Sequence, residues 1–404
     1  MTKHTALLLT SMATACCAQA QQWEVLPTGV STALRDVFFI STAKGWAVGD
    51  GNVILTTNDG GDSWTPQVSG MGGSTNLRAV YFTSATKGWV VGSNETLLTT
   101  DDGGATWTGT SSTPGTDYND LIFTSPDTGY IVGGGGLTGV IKRTTNGGQT
   151  WSSTTVDRIL NAVHFISGTK GWACGSRGVI HHTADGINWT QQVAAGSSQT
   201  LNLVAIHMLS EQEGWAGGNP ANLKRTVDGG ATWTNAPSGT NAGKTGIYFS
   251  DSQNGWASTT TPLGGGPCPS GCPLRYTTDG GLTWSSDSLQ VVTINRLRFR
   301  DPALGAAAAN NGLVLRFFSP STGVEAPAEA ANNILLSPNP VPEWLTITSA
   351  EPLRTVEVFD ALGALVLRAQ GDVKSIDVRA MPPGSYALRS TSVAGQQVQR
   401  FVKE

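Results

Sequence analysis

Carboxylates recur along this chain at a spacing that invites a chemical reading. Asp59, Asp102, Asp185, Asp228 and Asp279 each stand in a Gly-rich turn before a Trp, and Asn146 takes the same place in one further copy. Repeated acids of this kind are what a calcium site or an acid/base pair would need. Each of them, however, lacks a second acidic ligand at fixed spacing, so the pattern supports a structural turn better than a metal or catalytic centre. In that turn the carboxylate accepts backbone N–H groups, Gly60 or Gly61 takes the positive φ, and a Thr braces the chain. No metal or cofactor is expected.

A second set of polar residues opens a series of apolar segments: Arg35, Asp36, Arg78, Asn119, Asp120, Asn161, Asn202, Asn295 and Arg296. A third forms a basic and aromatic row, Arg143, His182, Arg225, Tyr276 and Arg316, with Lys142, His181, Lys224 and Arg275 beside it. The first set suits a ligand or partner site and equally strand-start capping with solvent contact; the second suits an acidic partner or a glycan and equally an ordinary solvated strand face. Cys268 and Cys272, in Pro267-Cys268-Pro269-Ser270-Gly271-Cys272-Pro273, are placed to close a small disulfide loop; no Cys or His cluster nearby completes a zinc site. Cys174 occupies a position filled by Val48, Val91 and Val132 elsewhere and reads as a buried small hydrophobe.

What must position these residues is a repeat. Thr57-Asn58-Asp59-Gly60-Gly61-Asp62-Ser63-Trp64 returns at Thr100 to Trp107, Thr144 to Trp151, Thr226 to Trp233 and Thr277 to Trp284, and in shortened form at Thr183 to Trp189. Successive Trp residues lie 43, 44, 38, 44 and 51 apart. A period of roughly 40 residues indicates a propeller or solenoid. Each unit opens with an apolar strand: Leu34 to Phe39, Leu77 to Phe82, Tyr118 to Phe123, Leu160 to Phe165, Leu201 to Ile206, Lys244 to Phe249 and Ile294 to Phe299. A Gly-Trp strand follows, at Gly45-Trp46 and Gly88-Trp89 for example, decaying to Gly305-Ala306 in the last unit. Seven units of four short strands, without helical periodicity, predict an all-β fold, a seven-bladed β-propeller. The seventh unit has no closing Trp; Gln22-Trp23-Glu24-Val25 aligns with Ser63-Trp64-Thr65-Pro66, so the N-terminal strand is expected to complete that blade. The mouth residues Arg35 through Arg296 then converge on the axis, on the face that also carries the insertion from 259 to 273.

The unit Thr-x-Asp-Gly-Gly-x-Thr-Trp resembles the Asp-box (BNR) repeat of sialidases and sortilin-type ectodomains. The fuller unit, Leu34-Arg35-Asp36-Val37-Phe38-Phe39, then Gly45-Trp46-Ala47-Val48-Gly49, then the Asp-Gly-Gly turn, is similar to the photosystem II assembly and stability factor family of seven-bladed propellers. The resemblance implies the fold over residues 21–318 and leaves function open.

The two ends of the chain read differently. Lys3, an apolar run from Ala6 to Ala15 and Ala18-Gln19-Ala20 form a signal peptide over residues 1–20, with cleavage expected before Gln21. Residues 319–333 form a small-residue linker. Residues 334–404 return to short alternating strands, enough for a small β-sandwich. There Ser337-Pro338-Asn339-Pro340, Val358-Phe359-Asp360-Ala361-Leu362-Gly363, Met381-Pro382-Pro383-Gly384-Ser385-Tyr386 and Phe401-Val402-Lys403 together resemble the C-terminal sorting domain of type IX secretion. That resemblance implies contact with the type IX secretion machinery and a secreted or outer-membrane-surface destination in a Gram-negative bacterium.

Composition narrows the function classes. With 25 Lys and Arg against 29 Asp and Glu the chain carries a formal charge of -4, which does not suit nucleic-acid binding, and no transmembrane span is expected. A sialidase-like glycoside hydrolase needs an Arg cluster, a Tyr nucleophile with a Glu and an acid/base Asp. Here Glu24, Glu95, Glu211 and Glu213 are the only glutamates before the linker, Tyr276 alone lies off the repeat's apolar positions, and no Phe/Tyr-Arg-Ile-Pro precedes the repeats. The expectation is a binding protein that recognises a protein or glycan through its axial face; a hydrolase and a purely structural adhesin are the alternatives.

Overall fold

The computed structural model describes residues 22–72, 75–112, 115–192, 200–260, 274–286, 293–318, 334–337, 341–349, 352–359, 365–382, 384–392 and 395–403. The expected signal peptide, the linker and the Cys268–Cys272 pair lie outside the described residues. The chain divides into two compact units, Met1–Pro320 and Ser321–Glu404.

In the first unit, seven four-stranded antiparallel sheets follow one another as blades, the first six built in sequence order from the inner strand outward. Blade 1 is Leu34–Phe39, Gly45–Gly49, Ile54–Thr57 and Thr65–Gln67. Blade 7 is Ile294–Asp301, Leu304–Ala309 and Leu313–Phe318, and its fourth strand is Gln22–Pro27. The closure expected from the sequence is present: Gln22–Pro27 pairs antiparallel with Leu313–Phe318, and Trp23 faces Phe317 as Trp64 follows the Thr56–Thr65 pair in blade 1. Trp23 packs against Trp256, Phe299 and Phe317 at ring distances of 5.6, 5.8 and 5.2 Å.

The repeat's signature residues have packing roles. The glycine at the Gly-Trp position of the second strand lies under a cross-strand phenyl ring in all blades but the fifth, where Gly214 faces Met208; a Cβ on Gly45 would come within 2.7 Å of the Phe39 ring. The second-strand aromatics then reach the next blade. Trp46 stacks on Phe82 at 3.4 Å and donates through Nε1 to the Gly103 carbonyl at 3.0 Å. Tyr130 Oη donates to Gly186 O at 3.0 Å, and Trp172 Nε1 to Gly229 O at 3.2 Å. Gly103, Gly186 and Gly229 all belong to Asp-Gly turns, so each turn serves as the acceptor that fastens one blade to the one before it.

Within the turn, Thr57 Oγ1 donates to Asp59 at 2.7 Å and accepts from Gly61 N at 2.8 Å, while Ser63 N donates to Asp59 at 3.0 Å. Both glycines take the left-handed region, Gly60 at φ 78 and Gly61 at φ 102. The shortened copy keeps one such glycine, Gly186 at φ 70, and closes instead through Ile187 N and Asn188 N on Asp185.

The second unit holds a three-stranded sheet (Ile334–Ser337, Trp344–Ser349, Ser375–Asp377) and a four-stranded one (Leu365–Gln370, Leu353–Phe359, Gly384–Ser392, Gly395–Lys403). Leu345, Ile347 and Ile376 of the first meet Val356, Val358, Leu388 and Phe401 of the second in one core, which is the arrangement of a small sandwich.

Candidate functional site

The axial channel is lined by the seven inner strands, and a backbone irregularity decides what each presents. In every inner strand the pairing register slips at the second position: between Leu34 and Asp36, Leu77 and Ala79, Tyr118 and Asp120, Leu160 and Ala162, Leu203 and Ala205, Lys244 and Gly246, and Ile294 and Arg296. Each slip is a β-bulge, which leaves one residue unpaired and re-aims it. The bulged residues are Arg35, Arg78, Asn119, Asn161, Val204, Thr245 and Asn295, and all seven line one mouth of the channel, around a cavity of about 410 Å³.

This corrects one assignment. The inner strand of blade 5 is Asn202–Met208, two residues beyond the expected Leu201 to Ile206. Val204 therefore holds the bulge position, and Asn202 sits one step before the strand's first aligned residue, facing Asn219. Leu201 and Leu203 have the same parity, so alternation alone does not separate the two registers.

Most of the mouth residues are engaged between blades. Asn119 Nδ2 donates to Leu160 O at 2.8 Å, Asn161 Nδ2 to Leu203 O and Asn202 Oδ1 at 2.8 Å each, and Asn295 Nδ2 to Leu34 O at 2.7 Å. Each of these clamps a blade to the one after it. Arg78 bonds Asn119 and Asp117, both at 2.6 Å, and Arg35 pairs with Asp50 at 2.5 Å. The two arginine side chains remain 40% and 36% accessible, and their partners Asp50 and Asp117 27% and 36%. Arg35, Arg78 and Asp50, with the less exposed Arg296, are the charged side chains that line the mouth.

Below the mouth the channel is crossed by a buried ionic tier. Asp36 accepts from Val37 N of its own blade and Val80 N of the next, both at 3.0 Å, and Asp120 does the same with Leu121 N and Val163 N at 2.9 and 3.0 Å. Arg298 of blade 7 forks onto Asp36 with two bonds of 2.7 Å and reaches Asp120 at 3.2 Å; Arg296 also contacts both carboxylates. Burial would lower the Arg298 pKa, but the two carboxylates outweigh it and hold the guanidinium firmly charged. Arg298 was not among the residues singled out from sequence, because its position carries Phe38, Tyr81, Ile122, His164, His207 and Tyr248 in the other blades. Its charge two residues after Arg296 was the available signal.

The structure does not bring the basic and aromatic row together as an open face. Each member lies across from its own blade's second-strand residue, Arg143 from Tyr130, His182 from Trp172, Arg225 from Trp215, Tyr276 from Trp256 and Arg316 from Ala306. All five are half-buried. Arg225 is spent on Glu213 at 2.6 Å, and Arg316 on Gly60 O, Glu24 and Asp62 at 2.8, 2.7 and 3.0 Å. Burial, then Lys170, lowers the His182 pKa. Cys174 is fully buried and its thiol pKa is raised by that burial. Among the described residues no group of three or more His, Cys, Asp or Glu could hold a metal ion, and no helix is long and apolar enough to cross a membrane.

Comparison with known proteins agrees with this architecture. The family model described as photosynthesis system II assembly factor YCF48 matches residues 15–109, 71–160 and 153–243, and that of a secretion system C-terminal sorting domain matches residues 336–404. The second match marks the chain for delivery to the cell surface or the extracellular space, by way of the secretion machinery that reads such a tail. No curated protein sequence matches the chain. Similar solved structures include YCF48 bound to D1 peptide, at 20% identity and TM-score 0.60 over 74% of this chain and 97% of that one. YCF48 from Cyanidioschyzon merolae is 22% identical with TM-score 0.59, over 73% and 98% of the two chains. PorZ, described as an essential bacterial surface component of the type-IX secretion system of Porphyromonas gingivalis, is 14% identical with TM-score 0.52, over 93% of this chain and 60% of that one.

Proposed function

The chain belongs to the YCF48 family of seven-bladed propellers, its matches spanning more than half of the 404 residues, and we propose that it is an exported surface protein that holds a segment of a partner protein at the bulged mouth of its channel. The observation that carries this reading is the pair Arg35 and Arg78. They stand on adjacent blades, oriented by Asp50, Asp117 and Asn119, yet remain more than a third exposed at the rim of a 410 Å³ recess. Guanidinium groups fixed in this way suit a carboxylate or main-chain carbonyls of a partner. One similar structure, YCF48 bound to D1 peptide, is consistent with a peptide occupant. We take residues 1–20 as the export signal, residues 334–404 as the sorting domain, and the outer-membrane surface of a Gram-negative bacterium as the destination.

The hydrolase alternative finds little support. Asp36 and Asp120 each accept two backbone N–H groups and arginine bonds while buried, which leaves neither free to act on a sugar. A purely structural adhesin is distinguished by partner loss. Full-length chain carrying Arg35→Ala and Arg78→Ala should keep its melting point and fail to capture the surface protein that the wild type cross-links, whereas Arg143→Ala should capture it normally. Equal capture by both variants would overturn the assignment to this mouth.

A further inference from the structure

The opposite end of the channel holds a chamber beyond the Asp36, Asp120, Arg296 and Arg298 tier; Val204, Thr245 and Arg296 line both it and the arginine mouth. The chamber's volume is about 390 Å³, within the roughly 300–1,000 Å³ usual for small-molecule sites. The loops around this end, which join first to second strands, are all among the described residues. The wall takes one side chain from each blade: Phe38, Tyr81, Ile122, His164, His207 and Tyr248, with Arg298 completing the circle. Small residues in blades 4 to 6, Ala162, Ala205 and Gly246, open the space above the wall on that side.

The polar inventory of this wall is definite. His164 Nδ1 accepts from Met208 N at 3.3 Å, so its proton is on Nε2. His207 Nε2 faces the Phe249 carbonyl at 3.0 Å and must donate to it, which leaves Nδ1 as an acceptor. Burial lowers both imidazole pKa values, that of His207 to about 4, so both rings are neutral near pH 7. The rings lie 4.8 Å apart on adjacent blades, with His164 Nε2 left as a donor and His207 Nδ1 as an acceptor. The Tyr248 hydroxyl and Arg298 Nη1 have no hydrogen-bond partner among the described residues, and the Arg298 charge is already matched by Asp36. Phe38 and Tyr81, at 4.7 Å, and Tyr248 beside His207, at 5.0 Å, supply aromatic surface.

We infer that this chamber is a second binding site, for an uncharged ligand that combines an aromatic ring with an amide. The ring packs on the aromatic wall, the amide oxygen accepts from His164 Nε2 and Arg298 Nη1, and the amide N–H donates to His207 Nδ1. Inside the chamber a carboxylate is disfavoured, because Asp120 lines the space and the Arg296 and Arg298 charges are matched by Asp36 and Asp120; Arg300 lies at the exposed rim. Neither Arg35 nor Arg78 lines the chamber, so the two assignments fail separately.

The test is titration of the full chain with N-acetyl-tyrosinamide, followed by the histidine ring resonances in NMR and by calorimetry. Saturable binding that shifts the His164 and His207 signals is expected, with N-acetyl-tyrosine, which carries a carboxylate, binding about tenfold more weakly. Ile122→Trp fills the chamber without touching its polar groups and should abolish binding at an unchanged melting point. His207→Phe removes the acceptor and should weaken binding by up to about tenfold, the worth of one neutral hydrogen bond. Arg35→Ala should bind the probe normally. Absence of saturable binding, its persistence in Ile122→Trp, or preference for methyl β-glucoside over the amide would each overturn the inference.

Discussion

Replacing Trp23 with Ala tests how the ring is held shut. Trp23 is 5% exposed and touches three rings, those of Trp256, Phe299 and Phe317, from a strand whose sequence neighbours lie on the other side of the closure. Truncating a buried Trp to Ala costs about 3–5 kcal/mol, as transfer free energy plus the cavity left behind. At roughly 2 °C per kcal/mol, the low end for a unit this large, the propeller's melting point should fall by about 6–10 °C. Other bonds of the same strand are worth far less. The Glu24–Arg316 pair at 2.7 Å leaves the Glu24 side chain 56% exposed, so Glu24→Ala should cost well under ~1 kcal/mol.

Calorimetry of the two variants beside a deletion of residues 21–27 separates these contributions. The deletion also bares the edge of Leu313–Phe318, whose backbone groups now pair with Gln22–Pro27, and should promote self-association as well as melting. An unchanged melting point for Trp23→Ala, or a Glu24→Ala effect as large as that of Trp23→Ala, would refute closure by the N-terminal strand.

Acid should loosen the propeller in two stages. His164 and His207 have lowered pKa values in the fold, so stability present above the unfolded value near 6.5 is lost as pH falls towards about 4. Asp102, Asp228 and Asp279, held down to about 2 chiefly by Thr106, Thr232 and Thr283, contribute stability above the unfolded value of about 3.9 that is lost as pH falls through about 2. Melting points from pH 7 to 2 should show both declines, and His207→Phe should flatten the upper one. The Cys174 thiol, buried and raised in pKa, should resist a thiol reagent in native protein and react once unfolded; fast native labelling would contradict its placement. Removing residues 332–404 should stop surface delivery while the propeller still folds, as read by protease accessibility of whole cells.

How far the architecture can be read from the residues depends on how local the responsible interactions are. The Asp-Gly-Gly turns are legible because all their bonds close within seven residues, from Thr57 to Ser63 for instance. The closure is legible because a missing Trp in the seventh unit has one spare counterpart, Trp23. The mouth is legible in kind but not in detail: the seven bulges that select its residues are backbone events with no residue signature, filled by Arg, Asn, Val and Thr alike.

The ionic tier is the least legible element and bears most on function. Arg298 and Asp36 are separated by 262 positions and meet only because the ring closes. That encounter turns Asp36 and Asp120 from candidate ligands into internal braces that join blades 1, 3 and 7 across the channel. One end keeps half-exposed guanidinium groups, and the other keeps neutral imidazoles among aromatic rings. A reader with the Asp-box turns alone would look for chemistry at the periphery, where Asp59 and its counterparts are spent on their own turns. The unequal ends of the channel place the search at the axis, and Arg298→Met tests the tier between them. It keeps the length of the side chain but leaves Asp36 and Asp120 facing Arg296 alone, so it should destabilise the ring, by about 3–5 kcal/mol if the carboxylates stay charged. Stability equal to the wild type would mean that the tier is dispensable.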